Sequence, residues 1–195
     1  NDILVGYDGD DTLIGGDGYD TFYGGLGVDT YDGGDGYDTV NFAYINGTSA
    51  QILIDDMVVD AGAGTATFSG ITETFTGIEQ FYLGDGDDTF VGSAGDVSVY
   101  GNAGDDNLSG GGGNDTLNGG AGVDSFNAGA GDDTIIFGVG DKKAWGSSWD
   151  IGGAGIDALV LEEGAVFNTS DFARHGIELV LGNSSNNYFR GQDDT

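Results

Sequence analysis

The sequence predicts an all-β chain coiled into a parallel β-helix, and three observations carry that expectation. Residues 101–136 read in nines as GNAGDDNLS, GGGGNDTLN, GGAGVDSFN and AGAGDDTII, a fixed-period repeat of the kind that folds by stacking identical short coils. The sixth residue is Asp in every unit (Asp106, Asp115, Asp124, Asp133), and the eighth is apolar (Leu108, Leu117, Phe126, Ile135). Side chains alternate along a strand, so a three-residue strand that buries its eighth position turns the seventh and ninth to solvent. Composition agrees: the chain has 195 residues with 41 Gly and no Pro.

The same pattern states its chemistry. Glycine-rich turns can coil tightly and aim several carbonyls at one point, because glycine reaches positive φ at little cost. A carboxylate at a fixed place beside those carbonyls makes the hard, all-oxygen surroundings that calcium takes, six to eight ligands in a forgiving geometry. The formal net charge of -30 suits divalent cations. It argues against nucleic acid and anionic membrane surfaces, both of which need basic patches.

The units resemble the GGxGxDxUx nonapeptides (U apolar) of RTX, or repeats-in-toxin, haemolysin-type calcium-binding proteins. That resemblance implies a right-handed parallel β-roll in which two nonapeptides make one coil. It also implies several bound Ca2+ ions, each held between turns stacked on one side by the sixth-position Asp of repeats n and n+2 and by turn carbonyls. Members of the family are secreted through type I machinery, so the resemblance implies a secreted, extracellular or cell-surface location.

Taken in order, the first block spans residues 1–41. A half unit, NDILV, precedes GYDGDDTLI, GGDGYDTFY, GGLGVDTYD and GGDGYDTVN. The expected ligands are Asp2, Asp11, Asp20, Asp29 and Asp38, stacked as Asp2 with Asp20, Asp11 with Asp29, and Asp20 with Asp38. Leu4, Leu13, Phe22, Tyr31 and Val40 are the expected core. Thr12, Thr21, Thr30 and Thr39 at the seventh position read as strand formers facing water. Ice-binding members of the family carry Thr and Asn in the turns instead, where this chain has residues such as Asp17 and Tyr19.

Across 42–82 the period vanishes. Ile52 and Ile54 alternate with Gln51, Leu53 and Asp55, and Ala61-Gly62-Ala63-Gly64 separates them from Thr65-Ala66-Thr67-Phe68. This reads as strand, turn, strand, and resembles the β-hairpin insertions found between roll blocks in the family. Gly77-Ile78-Glu79-Gln80-Phe81 then reads as a lead-in strand whose apolar residues close a roll end, as does Gly176-Ile177-Glu178 further on.

The second block, 83–136, opens with LGDGDDTFV, whose glycine turn is shortened or shifted. GSAGDVSVY follows, with Val97 where Asp belongs. Asp88 is expected to pair with Asp106, Asp106 with Asp124, and Asp115 with Asp133. Val97 leaves a weak position opposite Asp115 unless Asp96 reaches in. From 137 to 195 a capping region of short strands is expected, with residual repeats at 152–160, which supplies Asp157, and at 182–190.

Other chemistries find little support. The absence of Cys removes disulfides and thiol chemistry. No apolar run approaches membrane-spanning length. The sole His, His175, has no GxSxG elbow to serve, and dinucleotide, P-loop and EF-hand patterns are all missing. Trp145 and Trp149 beside Lys142 and Lys143 offer a glycan-binding alternative, set against the commoner role of such aromatics in packing. Since the sequence opens and closes inside a repeat, it reads as part of a larger secreted polypeptide such as an adhesin, surface-layer protein, toxin or exoenzyme. The expected role is a non-enzymatic calcium module, disordered in low calcium and folded outside the cell, which supports export and stability of that polypeptide. The competing role is a polysaccharide-binding module of a carbohydrate-active enzyme.

Overall fold

A computed structural model describes residues 1–43, 56–139, 141–143, 153–155, 157–162, 166–167, 177–182 and 188–189. They contain no helix. The first repeats give β1 (Ile3–Asp8), β2 (Thr12–Gly18), β3 (Thr21–Leu26), β4 (Thr30–Gly36) and β5 (Thr39–Asn41). The aperiodic stretch gives β6 (Val58–Asp60), β7 (Thr65–Phe68), β8 (Ile71–Thr76) and β9 (Gln80–Tyr82). The second set of repeats forms β10 (Thr89–Val91), β11 (Ser98–Tyr100), β12 (Asn107–Gly112), β13 (Thr116–Asn118), β14 (Ser125–Ala130) and β15 (Thr134–Phe137). Beyond it lie β16 (Lys142–Lys143), β17 (Gly153–Ala154), β18 (Asp157–Leu161), β19 (Val166–Phe167), β20 (Ile177–Gly182) and β21 (Tyr188–Phe189).

Within each set of repeats successive strands alternate between two sheets, so each strand pairs in parallel with the strand two ahead of it. Ile3 lies opposite Thr21, Thr12 opposite Thr30, Asn107 opposite Ser125 and Thr116 opposite Thr134. One sheet runs β1-β3-β5-β9-β11-β13-β15-β18-β20, and the other runs β16-β14-β12-β10-β6-β7-β8-β4-β2. This is the architecture of a parallel β-roll.

The eighth positions form the core. Phe22, Val40, Phe90, Val99, Leu108, Leu117, Phe126 and Ile135 are fully buried, and Leu4 and Leu13 in the first coil pack against them half-exposed. The seventh-position threonines of the first repeats face outward: Thr12 and Thr30 are exposed, Thr21 and Thr39 half-exposed.

The stretch 42–82 holds the largest differences from the sequence reading. The turn at 61–64 lies where expected, but the strand before it is Val58–Asp60, and the strand expected around Ile52 and Ile54 lies outside the described residues. A third strand, β8, extends the hairpin into a β6-β7-β8 meander paired antiparallel within itself and parallel to β4 and β10 at its flanks. The 77–82 segment closes no roll end. Gln80–Tyr82 lies between β5 and β11 as an interior rung of the first sheet, because Phe81 has the same inward position as an eighth residue and is fully buried. Large rings bridge the splice, with Phe81 5.1 Å from Phe75 and 5.0 Å from Phe90, so the core continues from one set of repeats to the other.

Candidate calcium centres

Stacking places the sixth-position carboxylates in two columns, one along each row of turns. Asp20, Asp38, Asp115 and Asp133 lie in the column that leads into the first sheet. Asp11, Asp29, Asp88, Asp106 and Asp124 lie in the other. Apart from half-buried Asp11 and exposed Asp2, the expected ligands among them are buried almost completely, and Asp157 is too.

Each carboxylate uses its two oxygens differently. The Oδ1 atom accepts the backbone N–H of the matching residue one coil below. Asp20 accepts from Asp2, Asp29 from Asp11 at 3.0 Å, and Asp38 from Asp20 at 2.8 Å. Asp106 accepts from Asp88 at 2.9 Å, Asp124 from Asp106 at 2.9 Å, Asp133 from Asp115 at 2.8 Å and Asp157 from Asp133 at 2.9 Å. The Oδ2 atoms of Asp11, Asp20, Asp38, Asp106, Asp115, Asp124 and Asp133 are buried with no hydrogen-bond partner. Leaving such oxygens unpaired costs on the order of 1–3 kcal/mol each, and more for a charged group, a cost that a bound cation would remove.

The first glycine of each unit explains what faces those oxygens. A Cβ built on Gly15 would lie 2.5 Å from Asp20 Oδ2 and 2.8 Å from the Gly33 carbonyl oxygen; one on Gly6 would lie 2.7 Å from Asp11 Oδ2 and 2.6 Å from the Gly24 carbonyl oxygen. The missing side chain therefore opens a cradle between a carboxylate oxygen and the carbonyl of the next coil. Gly101 with Asp106 and Gly119, and Gly110 with Asp115 and Ala128, repeat the arrangement. Among the described residues no three acidic or His side chains gather at one point.

Electrostatics point the same way. Burial pushes the carboxyls of Asp106 and Asp115 up to about 7 and those of Asp88 and Asp124 up to about 6, against opposing backbone hydrogen bonds. Burial likewise raises Asp29 and Asp133. A low-dielectric pocket disfavours the anion, and a bound cation would reverse that balance.

Several expected positions differ from the repeat. Asp88 has no open oxygen, because Met57 donates to its Oδ1 at 2.8 Å and Gly84 to its Oδ2 at 3.1 Å; Leu83, buried where the first glycine would stand, shifts the turn. Val97 is buried and donates its N–H to Asp115 Oδ1 at 2.9 Å. Asp96 does not reach in. It accepts the Asn114 N–H at 2.7 Å and belongs to an outer ladder that the sequence did not disclose. In that ladder fifth-position side chains accept from the coil above: Asp10 from Val28 at 2.9 Å, Asp87 from Asp105 at 2.8 Å, Asp105 from Val123 at 2.9 Å and Asn114 from Asp132 at 2.9 Å.

Sequence reasoning also passed over Asp141 and Glu79. Asp141 accepts the Asp124 N–H at 3.2 Å and so takes the sixth position of a turn one residue short, which hides it from a search in nines. Glu79 accepts the Asp38 N–H at 2.9 Å, with Gln80 opposite Thr39. Trp145, Trp149 and His175 lie outside the described residues.

The family model for the RTX calcium-binding nonapeptide repeat (4 copies) matches residues 1–40, 82–117 and 109–141, more than half of the chain. The chain belongs to the RTX calcium-binding repeat family. Its cofactor is Ca2+, and the repeats of this family form a structural calcium-binding module. A search of curated proteins gives no significant match. Among the described residues of this RTX chain, no helix is long and apolar enough to cross a membrane.

Proposed function

We propose that this RTX chain is a calcium-triggered folding module, non-catalytic in itself, within a larger secreted or cell-surface protein. Its ligands are the carboxylates of Asp11, Asp20, Asp38, Asp106, Asp115, Asp124 and Asp133 with the first-position carbonyls across each cradle. Asp2, Asp29 and Asp157 complete the columns, and Asp88 contributes through the backbone ladder.

One observation carries this reading. The buried Oδ2 atoms are stacked coil upon coil, and the chain's four basic residues, Lys142, Lys143, Arg174 and Arg190, all lie beyond position 141. No Lys or Arg lies within residues 1–141 to neutralise the columns, so cations from solution are their fitting partners. Without calcium the stacked carboxylates repel and their Oδ2 atoms lack partners; with it they become ligands, and binding free energy becomes folding free energy.

Extracellular calcium modules bind at roughly 10⁻⁴–10⁻³ M. The chain would therefore stay unfolded in a calcium-poor cytosol, threadable through type I machinery, and fold on emergence. The test is a calcium titration of chelator-treated protein followed by far-ultraviolet circular dichroism, with magnesium in parallel. A cooperative gain of β signal with calcium alone is expected. Full β structure in excess chelator would refute the proposal.

A further inference from the structure

We propose that the three-residue turn Gly77-Ile78-Glu79 completes a further calcium centre with Asp38, joining the first set of repeats through a shared ion to the turn that leads into β9. The inference rests on the calcium reading above and adds ligands from a segment that has no repeat in it.

Every repeat turn offers two things to the coil below, a first-position carbonyl and a sixth-position carboxylate. Between matched residues the turn after β8 has three residues, 77–79, where the repeat has six, 33–38, yet it supplies both. A Cβ on Gly33 would lie 2.6 Å from Asp38 Oδ2 and would collide with the Gly77 carbonyl oxygen, so Gly77 takes the place that Gly33 itself takes above Gly15. The Glu79 Oε2 atom accepts the Asp38 N–H at 2.9 Å, as Asp38 Oδ1 accepts from Asp20 at 2.8 Å. The extra methylene of Glu spans what the shorter turn lacks. Ile78, 8% exposed, seals the turn against the core. The independent pointer to a ligand is Asp38, fully buried, with an Oδ2 atom that has no partner and faces this cradle.

The opposite row of turns shows what the insertion does where it does not build a centre. Beside Gly24, the Tyr31 hydroxyl stands next to Asp29 Oδ2 and donates to Glu73 Oε2 at 2.7 Å. The insertion thus meets one column through Glu73, which holds the Tyr31 hydroxyl, and continues the other with a carbonyl and a carboxylate.

The test uses the full chain, with calcium as the probe, and counts bound ions by native mass spectrometry alongside a calcium titration. Glu79→Gln keeps the size and the hydrogen-bond acceptor but removes the charge. It is expected to bind one ion fewer than the parent and to need several-fold more calcium for half-folding. Asp115→Asn, at a consensus turn, is the companion. If Asp115→Asn loses an ion while Glu79→Gln matches the parent in count and midpoint, the Glu79 centre is refuted and the repeat centres stand. If neither variant loses an ion, the calcium assignment of the repeats fails as well. Should Glu79→Gln be unfolded at a calcium level that folds the parent, tenfold more calcium restores it if Glu79 is a ligand, by mass action. A variant that stays unfolded overturns the proposal.

Discussion

Tyr7 has a φ of 75°, in the left-handed region, because it occupies the second place of its unit; the corresponding Gly16 and Gly25 have φ of 95° and 115°. That conformation costs an L-residue about 1–2 kcal/mol, against roughly 0.5–1 kcal/mol of extra entropy lost when glycine is ordered. Tyr7 is 59% exposed and gives up little packing, so Tyr7→Gly should stabilise the calcium-loaded chain by about 0.5–1 kcal/mol. Urea unfolding in saturating calcium measures this, and a lower midpoint would show that the ring makes a compensating contact. Asn102, with a φ of 74°, differs, because its Nδ2 donates to the Leu83 carbonyl at 2.6 Å. Its replacement by Gly loses that bond. The inward Asp column is legible in the sequence because the glycines around it force one geometry. The outer ladder is not, since its fifth position also accepts Tyr19, Val28 and Val123, which donate a backbone N–H whatever their side chain.

The meander β6-β7-β8 is the element that pattern reading saw only in part. Its turn at 61–64 was visible through glycine. In β8 the alternation of Thr72, Thr74 and Thr76 outward with Glu73 and Phe75 inward has the right period, but a Glu at a buried place contradicts the usual reading of a core strand. The contradiction is resolved by Tyr31, an eighth-position residue with a hydroxyl to give. Burial pushes the Glu73 carboxyl up to about 7, opposed by the Tyr31 hydrogen bond and reinforced by the charge of Asp29. The sign follows. A carboxyl whose folded pKa is raised binds more protons in the folded state between its ordinary 4.5 and about 7. Its contribution is therefore most favourable below that window and is lost as pH rises through it. Glu73→Gln keeps an acceptor for Tyr31 without the charge. It should match the parent near about pH 5 and be more stable near about pH 8, by up to roughly 3 kcal/mol at 1.36 kcal/mol per pKa unit. Chemical denaturation at the two pH values checks this, and parallel curves at both would show that Glu73 is neutral throughout.

For the molecule as a whole, the periods in the sequence suggest two rolls, while the strand pairing makes one. The separation of matched residues is 18 inside each set of repeats, but 41 from Asp38 to Glu79, 44 from Thr30 to Thr74 and 31 from Met57 to Asp88. No fixed period carries across those steps, so continuity was invisible until the register of β9 and β8 was known. Physically, the join rests on Phe75, Phe81 and Phe90, whose rings succeed one another across the splice, and on parallel pairing of β5, β9 and β11. In a stack where each coil contacts only its neighbours, stability is the sum of coil and interface terms, and folding propagates as far as the interfaces hold. Buried aromatic rings pack across the splice as core residues do between repeats, so the two sets should fold together. Hydrogen exchange read by mass spectrometry along a calcium titration tests this. Peptides from 1–41 and from 83–136 are expected to gain protection at the same calcium concentration. Two separate midpoints would mean that the insertion isolates the blocks, and that each set of carboxylates gathers its ions without help from the other.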